Sequence, residues 1–355
     1  MRFPEFTEEW NYESLDTIAP NITSGRSKPS LGEYNLYGST GIIGKTATAD
    51  YSGDMLLVAR VGANAGSLQL VNDSCGITDN TLIIKPCKLS SHYLYFYLQH
   101  YNLNRLVFGS GQPLITAGML KKVRIPFGNQ LEQKKIENFL CCIDERITTQ
   151  NKIIEKLETL IKGIVELAFS HAATSNTLGC YITQISQRNK TGKDLPVLSV
   201  SNKHGFVEQS EQFEDRIIAS DDTSNYKIVD INDFAYNPAR INVGSIARLK
   251  DKECGIVSPM YICFRTSKDI LPEYLELFFK TVTFSFEVGK RLEGSVRLCL
   301  SYESLCEIVI PIISIREQQS LVKMVTTFHS KLDVEKGFLS SYQSQKQCLL
   351  SQMFI

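Results

Sequence analysis

The sequence predicts an α+β protein made by internal duplication, in which two mixed α/β globules are separated by two long antiparallel helices forming a coiled-coil spacer. Three observations predict it. One register of similarity repeats at a single offset, and two apolar stripes of helical period each run for about 40 residues. The linker after the first stripe is also too short for the second globule to start anywhere but at the far end of that helix.

At 355 residues, 43% of them hydrophobic, the chain has the material for two buried cores. Lys+Arg and Asp+Glu are each 38, so no global basic footprint announces a polyanion partner. Residues 1–131 hold 11 basic and 10 acidic residues, and residues 171–313 hold 16 and 18, so any nucleic-acid face must come from local arrangement. The ten cysteines contain no Cys-x-x-Cys and read as reduced thiols. Neither a secretory leader pattern nor an 18-residue apolar run is present, which leads us to expect a cytoplasmic protein.

The first globule, residues 1–128, is rich in short β-type runs such as Met55 to Val61 and Thr81 to Lys85, with one helix near Ser91 to Tyr101. The first long helix, residues 129–169, opens on Asn129 three residues before Glu132, a cap and a carboxylate able to bond back to it. Ile136, Leu140, Ile143, Ile147, Ile154, Leu157, Ile161, Ile164 and Ala168 then fall on heptad a/d positions. The second globule, residues 170–313, has a β-type run at Val229 to Tyr236 and a helix near Pro272 to Val282. The second long helix, residues 314–355, opens on Ser314 and Glu317 and carries Leu321, Val325, Phe328, Leu332, Leu339, Leu349 and Met353. At ~1.5 Å per residue each helix spans on the order of 60 Å and must pack on something equally long.

The duplication fixes this order. Ile125-Pro126 returns as Ile310-Pro311, an offset of 310 less 125, or 185, and Glu132-Gln133 returns as Glu317-Gln318 at the same offset. Gly109-Ser110 with Gln112 returns as Gly294-Ser295 with Arg297, and Thr116 as Ser301. Further toward the N-terminus the offset drifts to 179 for Cys75-Gly76-Ile77 and 178 for Gly66-Ser67-Leu68, as short loop insertions would cause.

Arg2-Phe3-Pro4-Glu5-Phe6 with Trp10, Leu195-Pro196-Val197-Leu198-Ser199-Val200, and the two Ile-Pro…Glu-Gln starts of long helices together resemble the specificity subunit of Type I restriction-modification enzymes. The similarity covers essentially the whole chain. It implies two target recognition domains, each reading one half of a bipartite asymmetric site in double-stranded DNA. It also implies docking of two methyltransferase subunits, and of restriction subunits in the full complex. S-adenosylmethionine, ATP and Mg would then be used by those partners, with no cofactor and no catalysis in this chain.

The motifs that tempt other readings are incomplete. Gly38 to Thr46 is similar to a phosphate-binding loop, but Ser39 stands where a glycine is required and no helix pattern follows. Asn237-Pro238-Ala239-Arg240 lacks the aromatic of an amino-methyltransferase motif. The five histidines show no metal-ligand spacing. Arg60 with Asn64, and Arg240 with Asn242, lie just before equivalent Gly-Ser pairs, and Arg suits guanine while Asn suits adenine. Ordinary turn or salt-bridge roles suit the same residues. Thr40, Lys45, Ser110, Gln112, Lys203, His204, Asn237, Ser295 and Arg297 complete the candidate DNA contacts. Two other readings stay open: a single-chain methyltransferase or nuclease, against which the broken motifs count, and a coiled-coil adaptor, which would leave two duplicated globules unexplained.

Overall fold

A computed structural model describes residues 2–108, 113–172, 174–190, 192–202, 204–208, 223–294 and 297–354. They form two compact units: Met1–Lys152 with Lys336–Ile355, and Ile153–Glu335.

In the first unit, β1 (Asn11–Ser14) leads into a turn of helix, α1 (Leu15–Ile18), capped by the Ser14 hydroxyl. The short β2 (Thr23–Ser24) precedes a hairpin of β3 (Tyr34–Gly38) and β4 (Gly41–Thr46). Next come β5 (Asp54–Ala59), β6 (Leu68–Asn72), β7 (Gly76–Ile77) and β8 (Thr81–Ile84). β5 is central because Met55 to Ala59 is an unbroken apolar run, and all five residues are buried. Helix α2 (Ser91–Tyr101) starts on the Ser90 cap and stops at Asn102, whose φ of 58° is left-handed. After α3 (Ala117–Lys121), β9 (Arg124–Phe127) pairs back onto β1, and α4 (Gln130–Ser170) begins. The sheets run β2-β8-β5-β6 and β4-β3-β7, with β3 and β7 parallel.

The second unit repeats this plan. Its strands are β10 (Thr174–Thr177), β11 (Ile182–Ile185), β12 (Val197–Ser201), β13 (Gly205–Glu208), β14 (Lys227–Asp230), β15 (Phe234–Tyr236), β16 (Ile246–Arg248), β17 (Cys254–Val257), β18 (Ile262–Thr266) and β19 (Val309–Ile312). Helices α5 (Pro272–Phe278), α6 (Val282–Arg291), α7 (Tyr302–Cys306) and α8 (Ile315–Met353) complete it. The sheets run β11-β18-β15-β16 and β13-β12-β17-β14, with β12 and β17 parallel, and β10 pairs with β19 as β1 does with β9. Individual hydrogen bonds repeat too. Tyr93 donates to the Pro126 carbonyl at 2.9 Å and Tyr274 to that of Pro311 at 2.8 Å. Gln133 donates to the Gly128 carbonyl and Gln318 to that of Ile313, each at 2.9 Å.

Both long helices share each unit's core. In the first, Ile136 and Leu140 of α4 join Leu350, Met353 and Phe354, and Lys346 pairs with Asp144 at 2.6 Å. In the second, Leu157, Ile161, Val165 and Phe169 join Leu321, Val325 and Leu332. Early residues of one helix therefore meet late residues of the other, the antiparallel sense the short linker requires. The heptad stripe is buried or half-buried throughout, and it widens at both helix ends to take in Val165, Phe169, Leu350 and Phe354. There the helices pack on a globule as well as on each other. Phe169 lies 4.7 and 5.3 Å from the rings of Tyr274 and Phe278, and Phe354 lies 5.5 and 5.6 Å from those of Tyr93 and Tyr97.

One expectation at the helix starts needs correcting. Glu317 does bond back to the Ser314 amide at 2.9 Å, but Glu132 does not return to its cap. Asn129 accepts from the Glu132 amide, while the fully buried Glu132 carboxylate takes two bonds from Arg2 at 2.6 Å and one from the Trp10 indole at 2.9 Å. The N-terminal arm supplies partners that the second unit, whose preceding linker is a few residues long, does not have.

Candidate nucleic-acid interface

In the first unit, backbone bonds draw four loops to one end of the sheets. The amide of Arg60, just past β5, donates to the Asn80 carbonyl at 2.9 Å, and Ser39 in the β3–β4 turn donates to the same oxygen at 3.3 Å. Ile115 donates to the Arg60 carbonyl at 2.9 Å and Gly62 to that of Pro113 at 3.0 Å. Gly66 closes the β5–β6 loop at φ 92°, where an added Cβ would fall 2.7 Å from the Asn104 side chain. Thr40, Arg60 and Asn64 are thereby brought to this end, Thr40 and Asn64 being exposed. Lys45 is not. It pairs across the ladder with Asn35, at the other end of the hairpin, where its ammonium donates to Asn35 Oδ1 and the Glu33 carbonyl. Four residues of strand put it on the order of 13 Å from the turn.

The second unit gathers the same loops. Asn237 donates its amide to the Ser245 carbonyl at 3.1 Å, closing the β15–β16 loop over Gly244 at φ 87°. The Ser245 hydroxyl reaches the Val200 carbonyl at 3.1 Å, and Leu300 donates to Pro238 at 3.1 Å. Arg240, Asn242, His204 and Arg297 are exposed on this cluster of loops. Asn237 is buried and accepts from the Ala239 amide at 3.1 Å, so it shapes the turn. Ser110, Gln112, Lys203 and Ser295 lie outside the described residues.

These bonds also fix the equivalence of the two loops. Ala59 to Ser67 matches Asn237 to Ser245 at an offset of 178, and Ile115 to Arg60 matches Leu300 to Pro238. Asn64 and Asn242 are therefore true counterparts. Arg60 corresponds to Pro238, and Arg240 to Gly62. The two units place an arginine two positions apart on the same loop.

Arg60 carries a further signal. Its Nε is buried without a hydrogen-bond partner, as is the hydroxyl of Thr81, which neighbours Ala59 in the ladder. A desolvated donor left unbonded is costly unless something later pairs with it. Other basic residues are engaged: Lys121 with Asp16 at 2.8 Å, and Arg124 over the Tyr12 ring at 5.9 Å. Arg265 is held by Asp233 and Asp230, and the hydrogen bond to Asp233 raises its already high pKa.

The segment similar to a phosphate loop is the β3–β4 hairpin, with a two-residue turn and no helix behind it. Among the described residues no group of three or more His, Cys, Asp or Glu is placed to hold a metal ion. Burial pushes the Cys75 thiol up to about 11 and that of Cys263 up to about 12, so neither offers a thiolate near neutral pH. Among the described residues no helix is long and apolar enough to cross a membrane.

Residues 2–159 match the family model of the Type I restriction modification DNA specificity domain. The matched segment covers the globule of the first unit and the first long helix as far as residue 159. Among solved structures, the S subunit of the Type-I restriction-modification system from M. genitalium is similar over 99% of this chain and 97% of its own, with 19% identity and a TM-score of 0.62. A chain from a structural study of complex assembly and conformational transition in the type I R-M system is similar over 99% and 98%, with 14% identity and a TM-score of 0.56. Both likenesses are of fold. No curated protein sequence matches the chain. The order of the four-stranded sheet in the matched segment, β2-β8-β5-β6, recurs in the second unit as β11-β18-β15-β16. Sequence reasoning missed Ser39 and Asn80 at this end of the first unit, because only the folded backbone brings them beside Arg60.

Proposed function

We propose that this chain is the DNA sequence-specificity subunit of a Type I restriction-modification complex, without catalysis of its own. Each unit reads one half of a bipartite asymmetric site. The carrying observation is that one cluster of loops recurs on one scaffold with the asparagine kept, Asn64 and Asn242, and the arginine moved by two backbone positions, Arg60 in one unit and Arg240 in the other. Arginine and asparagine offer the bidentate geometry that distinguishes guanine and adenine in the major groove, while Thr40, His204 and Arg297 suit phosphate or base-edge contact. Lys45, held at the far end of its hairpin, suits a phosphate contact outside the base-reading cluster.

The long helices supply the docking surface for two methyltransferase subunits, and restriction subunits join the full complex. Ile153, Leu160 and Leu167 of α4 stay exposed seven residues apart, an apolar stripe facing away from the second unit's core. S-adenosylmethionine, ATP and Mg belong to the partners' chemistry. To test the reading, the chain is co-expressed with its methyltransferase partner and methylated bases are mapped across the host genome by long-read sequencing. A split asymmetric motif that vanishes when this chain is deleted supports it. Methylation indifferent to the deletion, or confined to a short continuous motif, contradicts it.

A further inference from the structure

The loop cluster of the second unit exposes three large apolar side chains among its polar ones: Val243 at 57%, Met260 at 57% and Leu298 at 49%. Backbone pairing places all three on adjoining loops at one end of the sheet. Met260 precedes by two residues Ile262, which pairs with Tyr236. Pro238, two residues past Tyr236, accepts from Leu300, and Leu298 precedes Leu300 by two. Val243 donates to the Arg240 carbonyl at 3.1 Å on the same loop. The counterparts in the first unit, by the offsets 178, 180 and 185 that the hydrogen bonds and ladders fix, are Ala65, Asn80 and Pro113. Ala65 is buried and Asn80 is polar, so this apolar trio belongs to the second unit alone.

Exposed apolar side chains on the same group of loops as Arg240, Asn242, His204 and Arg297 fit a ligand with anionic and hydrogen-bonding edges around a small apolar projection. In the major groove that projection is the 5-methyl group of thymine. We infer that the second unit recognises at least one thymine in its half-site through methyl contact with Val243, Met260 and Leu298. The inference rests on the specificity-subunit reading and names the chemistry that reading leaves open. Arg240 and Asn242 set the hydrogen-bonding pattern beside it, and the apolar trio rejects cytosine, which has no methyl group to bury.

The test uses the full chain in complex with its methyltransferase and a duplex carrying the mapped motif. Each thymine in the half-site assigned to the second unit is replaced singly by deoxyuridine, which keeps every base-pairing atom and removes only the methyl. At one thymine or more, Kd should rise roughly fourfold, the ratio expected for failing to bury one methyl-sized group. In the double variant Val243→Ala with Met260→Ala, and separately in Leu298→Ala, the ratio of Kd between the two duplexes should fall toward one. A half-site without thymine, a Kd unmoved by every deoxyuridine, or variants that keep the full ratio would each overturn the inference. A complex that binds the motif no better than a scrambled duplex would overturn the specificity-subunit reading itself.

Discussion

At the scale of single residues, the interface candidates separate by what already holds them. Arg60 keeps a buried Nε unsatisfied, whereas Arg265 and Arg248 are committed to carboxylates within the protein. Substituting Arg60 or Arg240 by Ala should cost ~1–3 kcal/mol of DNA binding and relax one base position each, checked by binding to a panel of single-base site variants. Lys45→Ala should weaken binding alike across that panel and flatten its salt dependence, as loss of a phosphate contact does. Glu276 provides a prediction on stability. Burial alone pushes its carboxyl up, but Lys280, Lys250 and Arg248 together outweigh that and hold it below the ordinary carboxylate range. A folded pKa below the unfolded one stabilises above the unfolded value, and the contribution is lost as pH falls through the folded one. The second unit should therefore lose stability on acidification below about pH 4.5. Glu276→Gln should be destabilised near neutral pH by on the order of 1–3 kcal/mol and show a weaker acid dependence in denaturant titrations at several pH values.

At the scale of elements, the long helices were legible because their apolar period and Ile-Pro starts survive a gap-free offset. Their ends were less so. A strict heptad omits Phe169 and Phe354, since packing on a globule follows the 3.6-residue turn and broadens the stripe. Those two aromatics anchor equivalent helix ends, and Phe169→Ala or Phe354→Ala should each cost roughly 3–5 kcal/mol in equilibrium unfolding. Leu160, exposed on the same helix, behaves oppositely. Leu160→Asp should leave the melting temperature of the isolated chain nearly unchanged and reduce co-purification of the methyltransferase. The Glu132 carboxylate was misassigned from sequence because its partners, Arg2 and Trp10, lie more than 120 residues away. Local spacing indicates a cap and carries no sign of a tertiary competitor.

At the scale of the whole molecule, the duplication carried most of the account. It pointed to two similar units before any strand order was known, and the sheets repeat apart from β14, where the first unit has only the isolated bridge between Tyr51 and Cys75. Where loops changed length, the sequence register slipped. Arg60 and Arg240 look equivalent by motif, yet the bonds to Ile115 and Leu300 place them two positions apart. Under the proposed reading that offset matters for function, because the same loop presents its arginine from different backbone sites, which would let one scaffold select different bases. Loop side chains such as Arg60 and Arg240 follow no helical or strand period, so neither period nor composition marks them.

The proposed function has one scaffold, used twice, reading two different half-sites. It is tested most directly by replacing residues 174–312 with a copy of residues 11–127, which have matching first and last strands, β1 with β10 and β9 with β19. The modified chain is expressed with its methyltransferase and the methylated motif is mapped across the genome. The expected result is a split motif in which the half read by the first unit is kept and now occurs twice. A motif identical to the parent's, or one in which both halves change, would contradict it.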